Sequence, residues 1–205
     1  MVNPKKRVLY VEGGGDKNTS LASECRRAFS KLFEKAGIAR RPRVVACGGR
    51  KRAYDRFCTA HQSRTEDAWL LVDAETPAAS RPPFDPWAHV ETRVGDGWRR
   101  PEGATDDQLQ LMNVVMETWL LSDRDALKKV LGPKLDMAKL PAEGAALEAK
   151  NKAAVYEALK AATRRTKAGE YGKGAHSFKV LAEVSPDKLR ELPWGKRFLE
   201  AMGAS

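Results

Sequence analysis

The 205 residues carry 37 Lys and Arg against 27 Asp and Glu, a formal net charge of +10 that suits a polyanionic partner and serves solubility equally well. With 42% apolar and 31% charged residues the chain is long and apolar enough to bury a core, which excludes a disordered protein. No apolar run reaches signal-peptide or membrane-spanning length, Cys25, Cys47 and Cys58 form no CxxC pair, and His61, His89 and His176 are scattered; these features point away from secretion, disulfides and zinc, toward a cytoplasmic protein with reduced thiols.

Residues 7–11 read as a buried strand, because a short apolar, β-branched run ends in glycines. Asn18, Thr19 and Ser20 offer caps for a helix running to about Ala36. Its apolar face is Leu21, Cys25, Ala28, Phe29, Leu32 and Phe33, and Gly37 stops it. Residues 43–47 predict the second strand, with Gly48-Gly49 as its turn. The next helix turns Ala53, Phe57 and Ala60 inward and Arg50, Lys51, Arg52 and Arg56 outward. A third strand is expected at 68–72. This alternation predicts an α/β, Rossmann-like fold: a mainly parallel sheet with right-handed crossovers, flanked by helices. Pro77, Pro82, Pro83, Pro86 and Pro101 leave 76–107 irregular apart from a short helix near 87–92, a length that marks a functional loop or lid. Residues 109–115 predict a fourth strand and 116–131 a helix stopped by Gly132-Pro133. The tail reads as helices at 149–164, 175–184 and 187–202, the last with a break at Pro193, and a basic, glycine-punctuated link spans 164–174. The expected division is an α/β core over 1–133 and a helical C-terminal extension packed on it over 134–205.

Two of these strands end in acids. Glu12-Gly13-Gly14-Gly15-Asp16 follows the first, and Asp73-Ala74-Glu75 follows the third. A parallel sheet delivers strand ends to one rim, where ligands of open α/β sheets bind. Four carboxylates would then meet in one crevice and repel one another, forcing their pKa values apart. A hard divalent cation with oxygen ligands, Mg²⁺ or Mn²⁺, relieves that repulsion. The glycine run is not a Walker A loop, since Gly15 is followed by Asp16-Lys17-Asn18, and it lacks the G-x-G-x-x-G spacing of a dinucleotide fingerprint. Each acidic turn alone is equally an ordinary strand-end turn; the pairing favours a metal. Asp73 and Glu75, two apart on a strand, would share a face. Glu117 reads either as a further metal ligand or as an ordinary first-turn helix glutamate, and Asp123 as structural. Lys173, His176 and Lys179 are candidates to hold a phosphate or the charge developing on it, with His176 also a candidate base; their alternative is a solvated basic face.

Residues 11–16, hydrophobic-Glu-Gly-x-x-Asp, together with 72–75, hydrophobic-Asp-x-Glu, resemble the Toprim domain of topoisomerases, primases and overcoming-lysogenisation-defect nucleases. Blocks 110–123, 148–152 and 173–181 are similar, in the same order, to small stand-alone Toprim-like bacterial proteins long labelled a domain of unknown function. The resemblance implies a metal-binding role for Glu12, Asp16, Asp73, Glu75 and Glu117, with Glu75 departing from the usual Asp by its longer side chain. It further implies an ATPase partner and a role in DNA processing or anti-phage defence. The leading expectation is a Mg²⁺- or Mn²⁺-dependent nucleic-acid phosphodiesterase using Glu12, Asp73, Lys173, His176 and Lys179. The alternatives are a non-catalytic metal- or nucleic-acid-binding partner subunit of an ATPase, and phosphoryl transfer on a small nucleotide.

Overall fold

The computed structural model describes residues 5–15 and 18–204. Among them, four strands form one sheet: β1 (Lys6–Val11), β2 (Arg43–Ala46), β3 (Glu66–Asp73) and β4 (Leu109–Met112). All pairings are parallel and the order is β2-β1-β3-β4. The chain therefore builds outward from β1 first to one side and then to the other. The point where the direction reverses, between the C-terminal ends of β1 and β3, is where such sheets open a ligand crevice.

Strand alternation divides the core into two layers. Leu9, Val11, Trp69 and Leu71 face α1 (Thr19–Lys35), whose Cys25, Ala28, Phe29, Leu32 and Phe33 are all buried at the predicted helical spacing. The Asn18 side chain caps that helix by accepting the Leu21 N–H at 2.9 Å. Val8, Tyr10, Leu70 and Val72 face α2 (Arg50–Ser63), which buries Ala53, Phe57 and Ala60 as expected. One expectation for α2 fails: the Arg50 side chain is only 12% exposed, because Asp96 of the irregular segment and Glu12 at the strand rim draw it inward.

The irregular 76–107 segment holds α3 (Pro86–Thr92) and packs Trp87 and Trp98 into the α2 layer. β4 stops at Met112, three residues short of the expected end. There the Asn113 side chain turns aside to bond the backbone of Ala78 in both directions, at 3.0 and 3.2 Å. The expected helix over 116–131 is instead two helices, α4 (Met116–Leu121) and α5 (Arg124–Leu131). The interruption is Asp123. One of its oxygens caps α5 through the Ala126 N–H at 2.9 Å, and the other accepts the Ser185 N–H at 2.8 Å, which makes Asp123 the structural residue its sequence context suggested.

In the tail, α6 (Lys152–Thr163) is capped by Asn151, α7 covers Ser177–Leu181, and Pro193 separates α8 (Pro186–Arg190) from α9 (Pro193–Met202) as predicted. α7 packs on α1, α4 and α5, and α9 packs on β4. Glu148 is fully buried between these parts; it accepts the Trp194 N–H at the start of α9 (3.0 Å) and the Ser80 hydroxyl (3.1 Å). Among the described residues no helix is long and apolar enough to cross a membrane.

Candidate metal centre

The rim between β1 and β3 collects three of the predicted acids. Glu12 leaves β1 with its N–H still on Leu71 O (2.9 Å), and Gly13 then pairs with Gly48 through two 2.8 Å hydrogen bonds. The turn needs glycine at position 14: its φ is +86°, and a Cβ there would lie 2.7 Å from Ala46 Cβ and 3.1 Å from Ala22 Cα. Tight closure of this turn against β2 and α1 keeps Glu12 at the rim.

Asp73 is the last residue of β3 and is buried. Its Oδ1 accepts the Met116 N–H at 2.8 Å, and its Oδ2 faces Lys173 Nζ at 3.1 Å. Its own N–H donates to Glu12 Oε2 at 3.1 Å. Glu75 joins them by a different route from the one its spacing suggested. β3 has ended, Ala74 is in the core, and Glu75 turns back through a left-handed φ of +69° that a side-chain-bearing residue rarely adopts. One carboxylate oxygen from each of Glu12, Asp73 and Glu75 lies within 4.8 Å of the other two.

Each acid also meets a cation. Lys173 pairs with Asp73, Lys152 at the start of α6 pairs with Glu75, and Arg50 Nη1 lies 3.4 Å from Glu12 Oε2. Arg50 is the most constrained of the three. It grips Asp96 with Nε and Nη2 at 2.6–3.0 Å, donates to the Asp73 carbonyl, and stacks 4.7 Å over Trp98. Lys152 and Lys173 are 40% and 51% exposed, so they can turn away where Arg50 cannot. Burial, then the charge of Asp73, pushes the Glu12 carboxyl up to about 7 against the pull of Arg50. Burial likewise raises Asp73, opposed by Lys173. For Lys173 burial works downward, but the carboxylates of Asp73 and Glu117 more than reverse it and hold the ammonium charged.

The remaining candidates lie elsewhere. Glu117 is fully buried behind the trio, outside the acid cluster, and its two oxygens accept the hydroxyls of Tyr171 and Tyr156, both at 3.0 Å. His176 does not face the acids: Nδ1 accepts the Gly172 N–H at 3.1 Å and Nε2 meets Ala168 O at 3.2 Å, so the ring braces the basic link that carries Lys173. Lys179 is exposed on α7. Asp16 lies outside the described residues. Arg50, Asp96, Trp98, Lys152 and the two tyrosines were not anticipated. For Arg50 there was a signal, since Gly48-Gly49-Arg50 follows β2 at the same rim as Glu12-Gly13 follows β1.

A cleft of 240 Å³ opens beside the trio, lined by Glu12, Asp73 and Lys173 together with Leu21, Met116 and Phe178. A larger hollow of 540 Å³ lies near the starts of β1 and β3, lined by Lys5, Glu66 and Asp67. It is at the wrong end of the strands for ligands of an open parallel sheet, and among the described residues the acids close enough to hold a metal together are Glu12, Asp73 and Glu75, so the smaller cleft is the candidate.

A family model described as "Domain of unknown function (DUF4276)" matches residues 11–203. No curated protein and no solved structure matches the chain.

Proposed function

The chain belongs to the DUF4276 family, and within it we propose a Toprim-type, metal-dependent nucleic-acid phosphodiesterase. The observation that carries this reading is the Glu12–Asp73–Glu75 trio at the switch point of a parallel sheet, its oxygens within 4.8 Å of one another. The donor set suits Mg²⁺ or Mn²⁺, being made of carboxylate oxygens. Burial, and after it the neighbouring charge of Asp73, raises the Glu12 carboxyl to about 7, and a bound cation would oppose both. Glu12, Asp73 and Glu75 would hold the ion, with Asp16, four residues after Glu12 in the sequence, a further candidate. Bound there, it supplies Lewis-acid charge to a phosphodiester oxygen and acidifies a water.

The chain's own residues do the rest. Lys173, half exposed and held charged by Asp73 and Glu117, can swing to a phosphate oxygen. His176 holds the link that positions Lys173, and exposed Lys179 adds charge for flanking phosphates. The net charge of +10 suits a polyanionic substrate. An ATPase partner and a place in DNA processing or anti-phage defence rest on the resemblance to Toprim-like proteins alone.

A second reading, a partner subunit that binds without turnover, is favoured by one observation: every acid of the trio already faces a cation. Cleavage of single- and double-stranded DNA and RNA with Mg²⁺ or Mn²⁺ separates the two. We expect Glu12→Gln and Asp73→Asn to abolish cleavage while circular dichroism stays that of wild type. A double variant that cuts as well as wild type overturns the assignment; wild type that binds but never cuts supports the second reading.

A further inference from the structure

We propose that the cleft beside the carboxylates seats one unstacked nucleobase, so that the substrate reaches the acids as a single strand rather than a duplex. This rests on the phosphodiesterase reading and deepens it. The cleft lining joins two chemistries. Glu12, Asp73 and Lys173 are charged, and Leu21, Met116 and Phe178 beside them are apolar. A nucleotide joins the same two, a phosphate and a flat, largely apolar ring. Sites for single strands combine a charged track for the backbone with apolar or aromatic walls for the bases.

Size narrows the choice of occupant. At 240 Å³ the cleft falls below the roughly 300–1,000 Å³ that encloses a whole drug-sized ligand. It fits a single ring whose phosphate stays outside, beside the acids. Gly13, Gly14, Gly15, Gly48 and Gly174 contribute bare backbone to the lining. A Cβ on Gly13 would come within 3.2 Å of Phe178 Cζ, and one on Gly174 within 3.8 Å of Leu21 Cδ2, so side chains at either position would narrow the cleft. Phe178 is 5% exposed and fixed by packing, which makes it a rigid wall. A duplex cannot offer a ring to such a recess without extruding a base from the stack.

The test is fluorescence anisotropy in Ca²⁺ with three labelled probes: a short oligothymidylate, an oligomer of equal length and charge built wholly from abasic units, and a blunt duplex. Oligothymidylate is expected to bind about tenfold more tightly than the abasic strand, the size of a single base–wall contact. Leu21→Trp, which fills the cleft from its more accessible wall, is expected to erase that difference without changing abasic binding. Gly174→Val, which adds a side chain toward Leu21 Cδ2, serves as a second filling variant if melting shows Leu21→Trp to be unfolded. Equal binding of the two strands, or a base preference that survives a folded cleft variant, overturns the proposal. Cleavage of the same probes in Mn²⁺ is followed alongside. A strand held with base preference but never cut leaves the base seat and removes the phosphodiesterase; a strand cut with no base preference does the reverse.

Discussion

Replacing Glu148 with Gln is expected to stabilise the protein at alkaline pH, although it alters a fully buried, hydrogen-bonded side chain. Burial raises the Glu148 carboxyl from its ordinary 4.5 to about 7, even though the Trp194 N–H and the Ser80 hydroxyl favour its charged form. A carboxyl whose folded-state pKa lies above the unfolded value contributes stability that is complete below pH 4.5 and is lost as the pH rises through 7. At about 1.4 kcal/mol per tenfold change in proton affinity, the interval corresponds to about 3 kcal/mol at pH 8. Gln is neutral at every pH and has the same shape. Its carbonyl can accept from Trp194 and its amide can donate to Ser80 Oγ. Urea melts of wild type and Glu148→Gln between pH 4.5 and 8 should therefore coincide at the acid end and separate by about 3 kcal/mol at pH 8, with the variant the more stable. A variant that is less stable at pH 8, or a gap that does not change with pH, refutes the assignment of a proton to Glu148.

Two other outcomes follow from the cation-lined crevice. Lys173→Met leaves the buried Asp73 carboxylate without its ion partner; because the lysine is half exposed, the loss should be about 2 kcal/mol rather than the 3–5 of a fully buried pair. Mn²⁺ in excess should recover most of it in thermal melts; a variant that melts as wild type in EDTA, or gains nothing from Mn²⁺, contradicts the ion-pair account. Asp96→Asn, which touches none of the trio, should weaken Mn²⁺ binding about tenfold by loosening Arg50 from Glu12. Electron paramagnetic resonance titration measures this directly, and an unchanged isotherm removes Arg50 as the residue that positions Glu12.

What the sequence disclosed was what depends on near neighbours. The apolar spacing of Cys25, Phe29 and Phe33 showed the buried face of α1, Pro193 marked a helix break, and acids after apolar runs marked strand ends. Residues whose partners lie far along the chain were hidden. Arg50 opens a helix among three other basic residues and looks solvated until Asp96 and Trp98 arrive from the irregular segment. Glu117 looks like any first-turn glutamate until Tyr156 and Tyr171 close over it. His176 is the exception: its partners, Gly172 N–H and Ala168 O, are close in sequence, but they are backbone groups that residue type does not reveal. Glu75 reaches the trio through a left-handed turn that strand periodicity does not foresee.

The central position of β1 also governs when the site can exist. Val8 lies opposite Arg43 on one side, and Lys6 opposite Glu66 on the other. Both pairings close long loops, whose entropy opposes folding before the ladders reward it. Glu12 can meet Gly48 and Arg50 once β2 is made, but Asp73 and Glu75 reach it only when β3 has been made and paired. Lys152 and Lys173 follow much later still. The trio is therefore complete only after β3 has paired with β1, and the lysines that face Asp73 and Glu75 come from segments made later than the strands that carry the acids.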